Sequence, residues 1–210
     1  MTDPVEAAAE AIIGLYSRHA DDWARMRDGP LNADERPHLD RFAAALPKGA
    51  EVLDLGCGSG RPIADWLIRR GFRLTGVDAS PGLLARCRAA FPGHEWRLDD
   101  MRGLDLGRRF DGVLAWYSSF HLTEEEQAGM AAAYARHLRP GGTLMFIGGP
   151  ARGVAMGTWM GQPLYHASLD PSEYRAGLEA AGLVDIEEVV FRPGTDAAAR
   201  VWTARRSVSD

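Results

Sequence analysis

The chain has 210 residues, of which 46% are hydrophobic and 25% are charged, and its formal net charge at pH 7 is −5. This length and composition predict one compact domain with a hydrophobic core, with or without a small appendage. Nucleic-acid-binding proteins usually carry a clustered basic face, and this mildly acidic balance gives no sign of one. We therefore expect a small-molecule partner and no nucleic acid.

Two cysteines, Cys57 and Cys87, are too few and too far apart to indicate a disulfide framework or a metal site. The first residues show no basic segment followed by an apolar run, as a signal peptide would, and no run of about 18 apolar residues occurs. We expect a cytoplasmic protein without a bound metal or a membrane association, and either a monomer or a homodimer.

The N-terminal segment has helical periodicity, which predicts a helix from Val5 to about Met26. A second helix is predicted from about Asp34 to Leu46. We expect these helices to form an N-terminal cap, residues 1–48, beside the core sheet. The residues that recur at spacings of three and four in the first helix are Ile12, Tyr16, His19 and Trp23.

From Glu51 onward, strand patterns alternate with helical ones. A helix is predicted from Gly60 to Arg70, and Ser80, Thr123 and Asp170 are predicted to cap three further helices. The turn Pro140-Gly141-Gly142 is predicted to end the helix that Thr123 begins. The predicted strands, in chain order, are EVLDL, FRLTGVD, HEWRLD, FDGVLAWY, TLMFIG, LVDIEEVVF and ARVWTARR.

This alternation predicts an α/β fold with a mostly parallel, doubly wound sheet and helices on both faces. The last two strands are close in sequence, so we expect them to form an antiparallel hairpin. Residues 49–210 would form this domain, with a loop or lid insertion at about residues 148–169, where no period is visible. Such sheets bind ligands at the carboxyl ends of their strands.

The segment LDLGCGSGRP, Leu53 to Pro62, joins the first strand to the next helix. Glycine allows the chain to turn tightly and its N–H groups to approach a ligand closely. A dinucleotide-binding loop would have glycine at Arg61, and a P-loop would have Lys followed by Ser or Thr. Asp54 precedes the first glycine by two residues and would attract an ammonium group. The loop therefore predicts a zwitterionic ligand rather than a polyanion.

Acidic residues end the next two strands. Asp78 follows the glycine loop by about 20 residues, where a carboxylate can accept hydrogen bonds from both hydroxyls of a ribose. Asp100 follows the third strand and can accept a hydrogen bond from the amine of adenine, while the backbone of Met101 can pair with a ring nitrogen. Together these features predict an adenosine that carries an amino-acid-like tail.

In this order, EVLDLGCGSGRP, GVDAS, LDDM and FDGVLAWYSSFHL resemble the first four motifs of the class I S-adenosylmethionine-dependent methyltransferases, in their small bacterial form. The segment RHLRPGGTLMF resembles the helix, turn and fifth strand that follow. The resemblance covers roughly residues 12–205. It implies a Rossmann-like sheet of seven strands with an antiparallel last strand, S-adenosylmethionine as the cofactor and S-adenosylhomocysteine as its product.

The resemblance also implies a set of cofactor contacts. The glycine loop would lie along the methionine and ribose, and carbonyls at the end of the fourth strand would face the amino group. Aromatic residues of the N-terminal helix would cover the cofactor, unless they serve only to pack that helix. The implied cofactor-binding residues are Tyr16, Trp23, Asp54, Gly56, Cys57, Gly58, Asp78, Ala79, Asp100, Met101, Ala115 and Trp116.

Methyl transfer requires an aligned nucleophile, and it requires a base only where the nucleophile must lose a proton. His121 and His166 are the candidate bases, although His121 can instead stabilise the start of the Thr123 helix. Tyr117, a third catalytic candidate, stands where related segments often have Asp, which indicates a less cationic acceptor.

The insertion is predicted to contribute three contacts to the acceptor. Trp159 and Tyr165 would wall its pocket together with His166, with plain packing of the lid as the alternative. Arg152 could bind an anionic acceptor, or it could be a solvated surface residue.

The sequence thus predicts a methyltransferase that acts on an oxygen or nitrogen of a small molecule, in bacterial secondary metabolism. One alternative is an NAD-linked oxidoreductase on a similar sheet. Another is a protein that binds S-adenosylmethionine without catalysis.

Overall fold

The computed structural model of the chain describes residues 3–192 and 198–208. Nine strands occur within these residues. They are β1 (Glu51–Leu55), β2 (Arg73–Asp78), β3 (Glu95–Leu98), β4 (Phe110–Ala115), β5 (Leu138–Gly148), β6 (Gly153–Trp159), β7 (Gln162–Ser168), β8 (Leu183–Phe191) and β9 (Ala199–Arg206).

Seven of the strands form the main sheet, in the order β3-β2-β1-β4-β5-β9-β8. The first five of these are mutually parallel, and β9 pairs antiparallel with both β5 and β8. The predicted α/β fold, with a mostly parallel sheet and an antiparallel last strand, is confirmed. The antiparallel strand lies inside the sheet, because β9 inserts between β5 and β8.

Helices cover both faces of the sheet. They are α1 (Pro4–Arg18), α2 (Ala20–Arg27), α3 (Arg36–Ala44), α4 (Ile63–Arg69), α5 (Pro81–Ala90), α6 (Glu124–His137) and α7 (Pro171–Ala180). The core on one face contains Tyr134, Phe146 and Trp202, and the core on the other contains Phe42 and Leu67. No helix among the described residues is long and apolar enough to cross a membrane.

The predicted helix caps are confirmed. The Ser80 hydroxyl accepts a hydrogen bond from the backbone N–H of Leu83. Thr123 and Asp170 each form a capping box with the glutamate three residues later. These caps satisfy backbone N–H groups that a helix end leaves without partners, so they fix where α5, α6 and α7 begin.

One helix prediction was wrong. The first predicted helix is two helices, because His19 leaves the helical conformation at φ −112° and ψ 29°. The helix that begins after Thr123 ends at His137, just before Pro140-Gly141-Gly142, as predicted. That triplet belongs to β5, whose pairing with β4 is irregular before Thr143, so the extra residues are accommodated inside the strand. The start of α4 at Ile63 is three residues later than the predicted start.

The insertion is not a loop. β6 and β7 form a two-stranded antiparallel hairpin, closed by Met160 and Gly161, both at positive φ. Nearly all of β6 is exposed, so its residues do not alternate between hydrophobic and polar along the strand. That alternation is the pattern by which a half-buried strand is recognised in a sequence. The division of the chain at residue 48 stays a prediction.

Candidate functional site

A cleft opens at the carboxyl ends of β1, β2, β3 and β4, with α1 and α2 along one side. It contains about 860 Å³ of empty space, counting its open mouth. The predicted site residues that line it are Tyr16, Trp23, Gly56, Gly58, Asp78, Ala79, Asp100, Met101, Tyr117 and His121. Residues that are far apart in sequence, from α1, α2 and four strand ends, therefore meet in one place.

The glycine loop after β1 forms the floor of the cleft. Gly56 has a φ of +74° and Gly58 a φ of +56°, which side chains rarely allow. A Cβ atom on Gly56 would lie 2.3 Å from Cβ of Ser118, and one on Gly58 would lie 3.2 Å from Nε1 of Trp23. Both the backbone conformation and the close neighbours therefore require glycine at these positions.

Asp78, at the end of β2, holds the loop in place. Its carboxylate accepts hydrogen bonds from the backbone N–H groups of Gly58 and Ser80, each at 2.8 Å. Burial raises the pKa of Asp78, and these hydrogen bonds oppose that rise. A carboxylate has about four acceptor sites, so it can still accept a hydrogen bond from a ligand hydroxyl.

Asp54 is buried near the end of β1, with 3% of its surface exposed, and it does not line the cleft. Burial raises the pKa of its carboxyl to about 7, and the nearby charge of Asp78 adds to the effect. No cationic side chain in the described part of the chain contributes to this pKa. A buried carboxyl without a counter-ion suits a ligand that brings its own positive charge.

Further charged groups gather at one end of the cleft, around the turn Met101–Gly103. Nε of Arg102 donates to the Asp100 carboxylate at 2.8 and 3.0 Å, and Nη1 donates to Glu126 at 2.9 Å. Burial acts to raise the pKa of Asp100, but the hydrogen bonds from Arg102 outweigh it and the pKa is lowered. Asp100 is thus held as a carboxylate. We call this end, with Asp78, Asp99, Asp100, Arg102 and Glu126, the acidic end.

A second part of the cleft is made of rings. Tyr16 packs edge-on against Trp23, with ring centroids 5.1 Å apart, and stacks on Trp159 of the hairpin at 5.2 Å. The ring of Tyr117 also lines the cleft, whereas Trp159 packs on Tyr16 without lining it. We call Tyr16, Trp23, Tyr117, His121 and Trp159 the aromatic end. Four separate segments of the chain supply its side chains.

His121 has a partner for each ring nitrogen. Nδ1 lies 2.9 Å from the backbone oxygen of Tyr165, and Nε2 lies 2.9 Å from the hydroxyl of Tyr16. A carbonyl oxygen only accepts, so the proton is assigned to Nδ1, and Nε2 accepts from Tyr16. Burial lowers the pKa of His121 to about 4, which keeps the ring neutral near pH 7. His121 therefore links α1 to the hairpin.

Tyr117 is held by a network that the sequence analysis missed. Its φ is +53°, rare for a residue with a large side chain, and the guanidinium of Arg27 lies 5.6 Å from its ring centroid. Arg27 pairs at 3.2 Å with the buried carboxylate of Glu35, which also accepts from Nε1 of Trp116 at 3.4 Å. Burial raises the pKa of Tyr117, so its hydroxyl stays protonated. No motif in the sequence marks Glu35.

Other predicted site residues lie around the cleft without lining it. Ala115 and Trp116 are buried at and just after the end of β4, and Cys57 lies in the glycine loop. The ring of His166 is 4.9 Å from that of His121, behind the aromatic end. Tyr165 is buried against α1 and reaches His121 only through its backbone oxygen.

Arg152 is not brought to the cleft. It forms ion pairs with Glu124, at 3.4 Å, and with Glu173, at the mouth of a separate crevice between α6 and α7. These two pairs occupy the guanidinium, so the geometry gives no support to the predicted contact with an acceptor.

Several residues that line the cleft were not predicted. The Ser118 hydroxyl donates to the backbone oxygen of Leu55 at 2.6 Å and so ties the segment after β4 to the end of β1. Its place directly after Trp116-Tyr117 was the available signal. The others with polar side chains are Ser80, Asp99, Arg102 and Glu126. No group of three or more His, Cys, Asp or Glu residues suited to a metal ion occurs within residues 3–192 and 198–208.

Residues 52–142 match the family model described as "Methyltransferase domain". A dTDP-3-amino-3,4,6-trideoxy-alpha-D-glucopyranose N,N-dimethyltransferase of Streptomyces venezuelae is 31% identical over 108 residues, 50% of this chain and 45% of the relative. A trans-aconitate 2-methyltransferase of Azoarcus sp. is 36% identical over 117 residues, 53% of this chain and 45% of the relative. The chain thus spans about half the length of these curated relatives.

Solved structures are similar over most of the chain. One is the 1,6-didemethyltoxoflavin-N1-methyltransferase of Burkholderia thailandensis, bound to 1,6-didemethyltoxoflavin and S-adenosylhomocysteine. It has a TM-score of 0.74 and 23% identity, and the match covers 99% of this chain and 92% of that one. Another is a sugar N-methyltransferase from Streptoalloteichus sp., with a TM-score of 0.70, 21% identity and coverage of 89% and 92%. At these identities the likeness establishes a shared fold.

Proposed function

We propose that this chain, whose residues 52–142 match the family model described as "Methyltransferase domain", is a class I S-adenosylmethionine-dependent methyltransferase that transfers a methyl group to a small molecule. Transfer to an oxygen or nitrogen, in secondary metabolism, is the form of the reaction that we favour. The relatives support it, since one is named as an amino-sugar N,N-dimethyltransferase and one as a trans-aconitate methyltransferase.

One observation carries the proposal: the glycine loop is bonded to Asp78, whose charge acts on the buried carboxyl of Asp54 two residues before the loop. Gly58 donates to Asp78 at 2.8 Å, and Asp54 has a pKa of about 7 with no cationic side chain in the described residues to lower it. A loop without side chains, an acceptor for ribose hydroxyls and a buried acid for an ammonium group suit a sulfonium nucleoside with an amino-acid tail. They would repel a pyrophosphate.

The chain's own residues would bind, orient and shield the reactants. Asp78 would accept from the ribose hydroxyls, Asp54 would pair with the amino group, and Asp100 would accept from the adenine amine. Tyr16 and Trp23 would cover the cofactor and exclude water. Solved neighbours that contain S-adenosylhomocysteine or S-adenosylmethionine support the choice of cofactor.

When bound, S-adenosylmethionine would supply the methyl group. The bond between methyl and sulfur would break as the bond to the acceptor forms, so that sulfur keeps the electron pair and the acceptor loses its proton to water. The residues at the aromatic end would align the acceptor, which is the main requirement of such a displacement. His121 would serve this alignment by positioning Tyr16, because both of its nitrogens already have partners.

Calorimetry with S-adenosylhomocysteine tests the proposal. We expect saturable binding at one site per chain, and transfer of radiolabelled methyl from S-adenosylmethionine to an acceptor pool. Gly58→Val should abolish binding while circular dichroism shows a folded protein. Gly107→Val is the matched control: it has a similar φ of +63° and open space around it, so it should bind normally.

Two results would contradict the proposal. One is the absence of binding by the folded wild-type protein. The other is binding of NADH, followed by its fluorescence, in preference to S-adenosylhomocysteine, which would favour an oxidoreductase.

A further inference from the structure

We propose that the methyl acceptor of this protein is a planar, uncharged aromatic or heteroaromatic molecule, bound between the side chains of the aromatic end. This inference rests on the proposed function, since it concerns the acceptor side of the same cleft. It goes further because it names the class of acceptor, which the sequence and the relatives leave open.

The first reason is the composition of the surface that an acceptor would meet. Tyr16, Trp23 and Tyr117 line the cleft, and Trp159 stacks on Tyr16 with an angle of 29° between the rings. Phe120 packs against this surface, and its ring centroid lies 6.1 Å from that of Tyr117 and 4.7 Å from that of His121. Contacts between aromatic rings stabilise a complex beyond the area that they bury. A flat ring can make such contacts with both faces and with its edge, whereas a sugar offers only the C–H bonds of one face.

The second reason is that the carboxylate that interacts with Tyr117 is already used. Glu35 is 1% exposed, and its oxygens accept from Arg27, from the backbone of Asn32 and from Trp116. An acceptor with an ammonium group would therefore lose its water without gaining a free carboxylate from Glu35. Such a transfer is unfavourable when the charge stays unpaired.

An anionic acceptor would likewise find that the cationic side chains around the aromatic end already have partners. Arg27 is paired with Glu35, and Arg18 donates to the side-chain oxygen of Gln162 at 2.6 Å. His121 is neutral, with a carbonyl and a hydroxyl as its partners.

In the part of the chain that the structure describes, the carboxylates that line the cleft lie at the acidic end. Burial raises the pKa of the Tyr16 hydroxyl, and of these carboxylates Asp78 is near enough for its charge to add to that rise. Asp78 already accepts from Gly58 and Ser80, and it is the proposed acceptor for the ribose hydroxyls.

Four naphthalene probes test the inference, with the protein first saturated with S-adenosylhomocysteine. They are 1-naphthol, which is flat and uncharged; 1-naphthoate, which is anionic; 1-naphthylmethylammonium, which is cationic; and decahydro-1-naphthol, which is uncharged and not flat. Calorimetry and quenching of tryptophan fluorescence measure binding. We expect 1-naphthol to bind at least tenfold more tightly than each of the others.

A matched pair of variants locates the binding. Trp159→Ala should weaken 1-naphthol about tenfold and weaken S-adenosylhomocysteine far less, because Trp159 would touch the cofactor only through Tyr16 and Trp23. Met156→Ala, an exposed position on the same hairpin, should change neither. Equal loss in the two variants would overturn the placement of the ring at the aromatic end.

The outcomes separate the two proposals. If S-adenosylhomocysteine does not bind, the proposed function fails and the inference fails with it. If it binds and 1-naphthol does not, or if a charged or saturated probe binds as tightly as 1-naphthol, the inference alone is overturned.

Discussion

The two ends of the cleft are built in different ways. The glycine loop and most of the acidic end follow β1, β2 and β3 directly, so these groups are attached to a hydrogen-bonded sheet, and Glu126 joins them from α6. The aromatic end is assembled from side chains of α1, α2, the segment after β4 and the hairpin, which meet through ring contacts, single hydrogen bonds and a small apolar cluster between α1 and β7. A constant cofactor suits the first construction, and an acceptor that differs between relatives suits the second.

This comparison predicts that substitutions at the acidic end have the larger effects. Gly56→Ala should lower the free energy of unfolding by about 3 kcal/mol, because positive φ costs about 1–2 kcal/mol and the new Cβ would lie 2.3 Å from Cβ of Ser118. Gly49→Ala is the matched control, with a similar φ of +72° and nothing within 4 Å, and should cost about 1 kcal/mol. Urea denaturation measures both. Equal losses would mean that the loop can move away from Ser118.

The next effect concerns cofactor affinity. Asp78→Asn should weaken S-adenosylhomocysteine by about 10- to 100-fold, because a charged acceptor of hydrogen bonds is worth about 1.5–3 kcal/mol. Calorimetry measures the change. Asp105→Asn is the control, since Asp105 also accepts from a backbone N–H, that of Gly107 at 2.9 Å, but lies outside the cleft. Unchanged affinity in Asp78→Asn would contradict the proposed contact between Asp78 and the ribose.

The same difference in construction explains how much the sequence could predict. Gly56, Gly58, Asp78 and Asp100 could be placed together because each directly follows a strand, and the ends of parallel strands meet at one edge. The caps at Ser80, Thr123 and Asp170 could be predicted for a similar reason, since a cap is a local pattern. The local sequence pattern was therefore enough to predict that these residues lie together.

The aromatic end could be predicted only in part. Tyr16, Trp23 and Trp159 could be named as aromatic residues, but nothing local shows that Trp159 stacks on Tyr16, 143 positions away in the chain. The pairing of Arg27 with Glu35 beneath Tyr117 depends on how α2 and α3 pack, and the hairpin has too little buried surface to reveal its strands. Such contacts are fixed by tertiary packing rather than by pattern.

The protonation state of Asp54 gives a further test of the cofactor side of the cleft. Its pKa of about 7 means that the carboxyl is roughly half protonated at pH 7. A bound ammonium group would stabilise the carboxylate and lower this pKa, so binding should release about half a proton at pH 7. Calorimetry in two buffers of different ionisation enthalpy measures the release. Asp54→Asn should abolish it, and an unchanged release in that variant would show that the proton comes from another group.

The smallest effect is expected at the aromatic end. Tyr16→Phe removes the donor to Nε2 of His121, so it should lower the free energy of unfolding by about 1 kcal/mol. Tyr134→Phe is the matched control, because the buried Tyr134 hydroxyl makes no well-formed hydrogen bond and interacts only weakly with Ser119, so its removal should cost much less. Urea denaturation at pH 7.5, where His121 is neutral, compares them. If both variants lose the same stability, the bond between Tyr16 and His121 does not hold α1 against the cleft, and the aromatic end is kept together by packing alone.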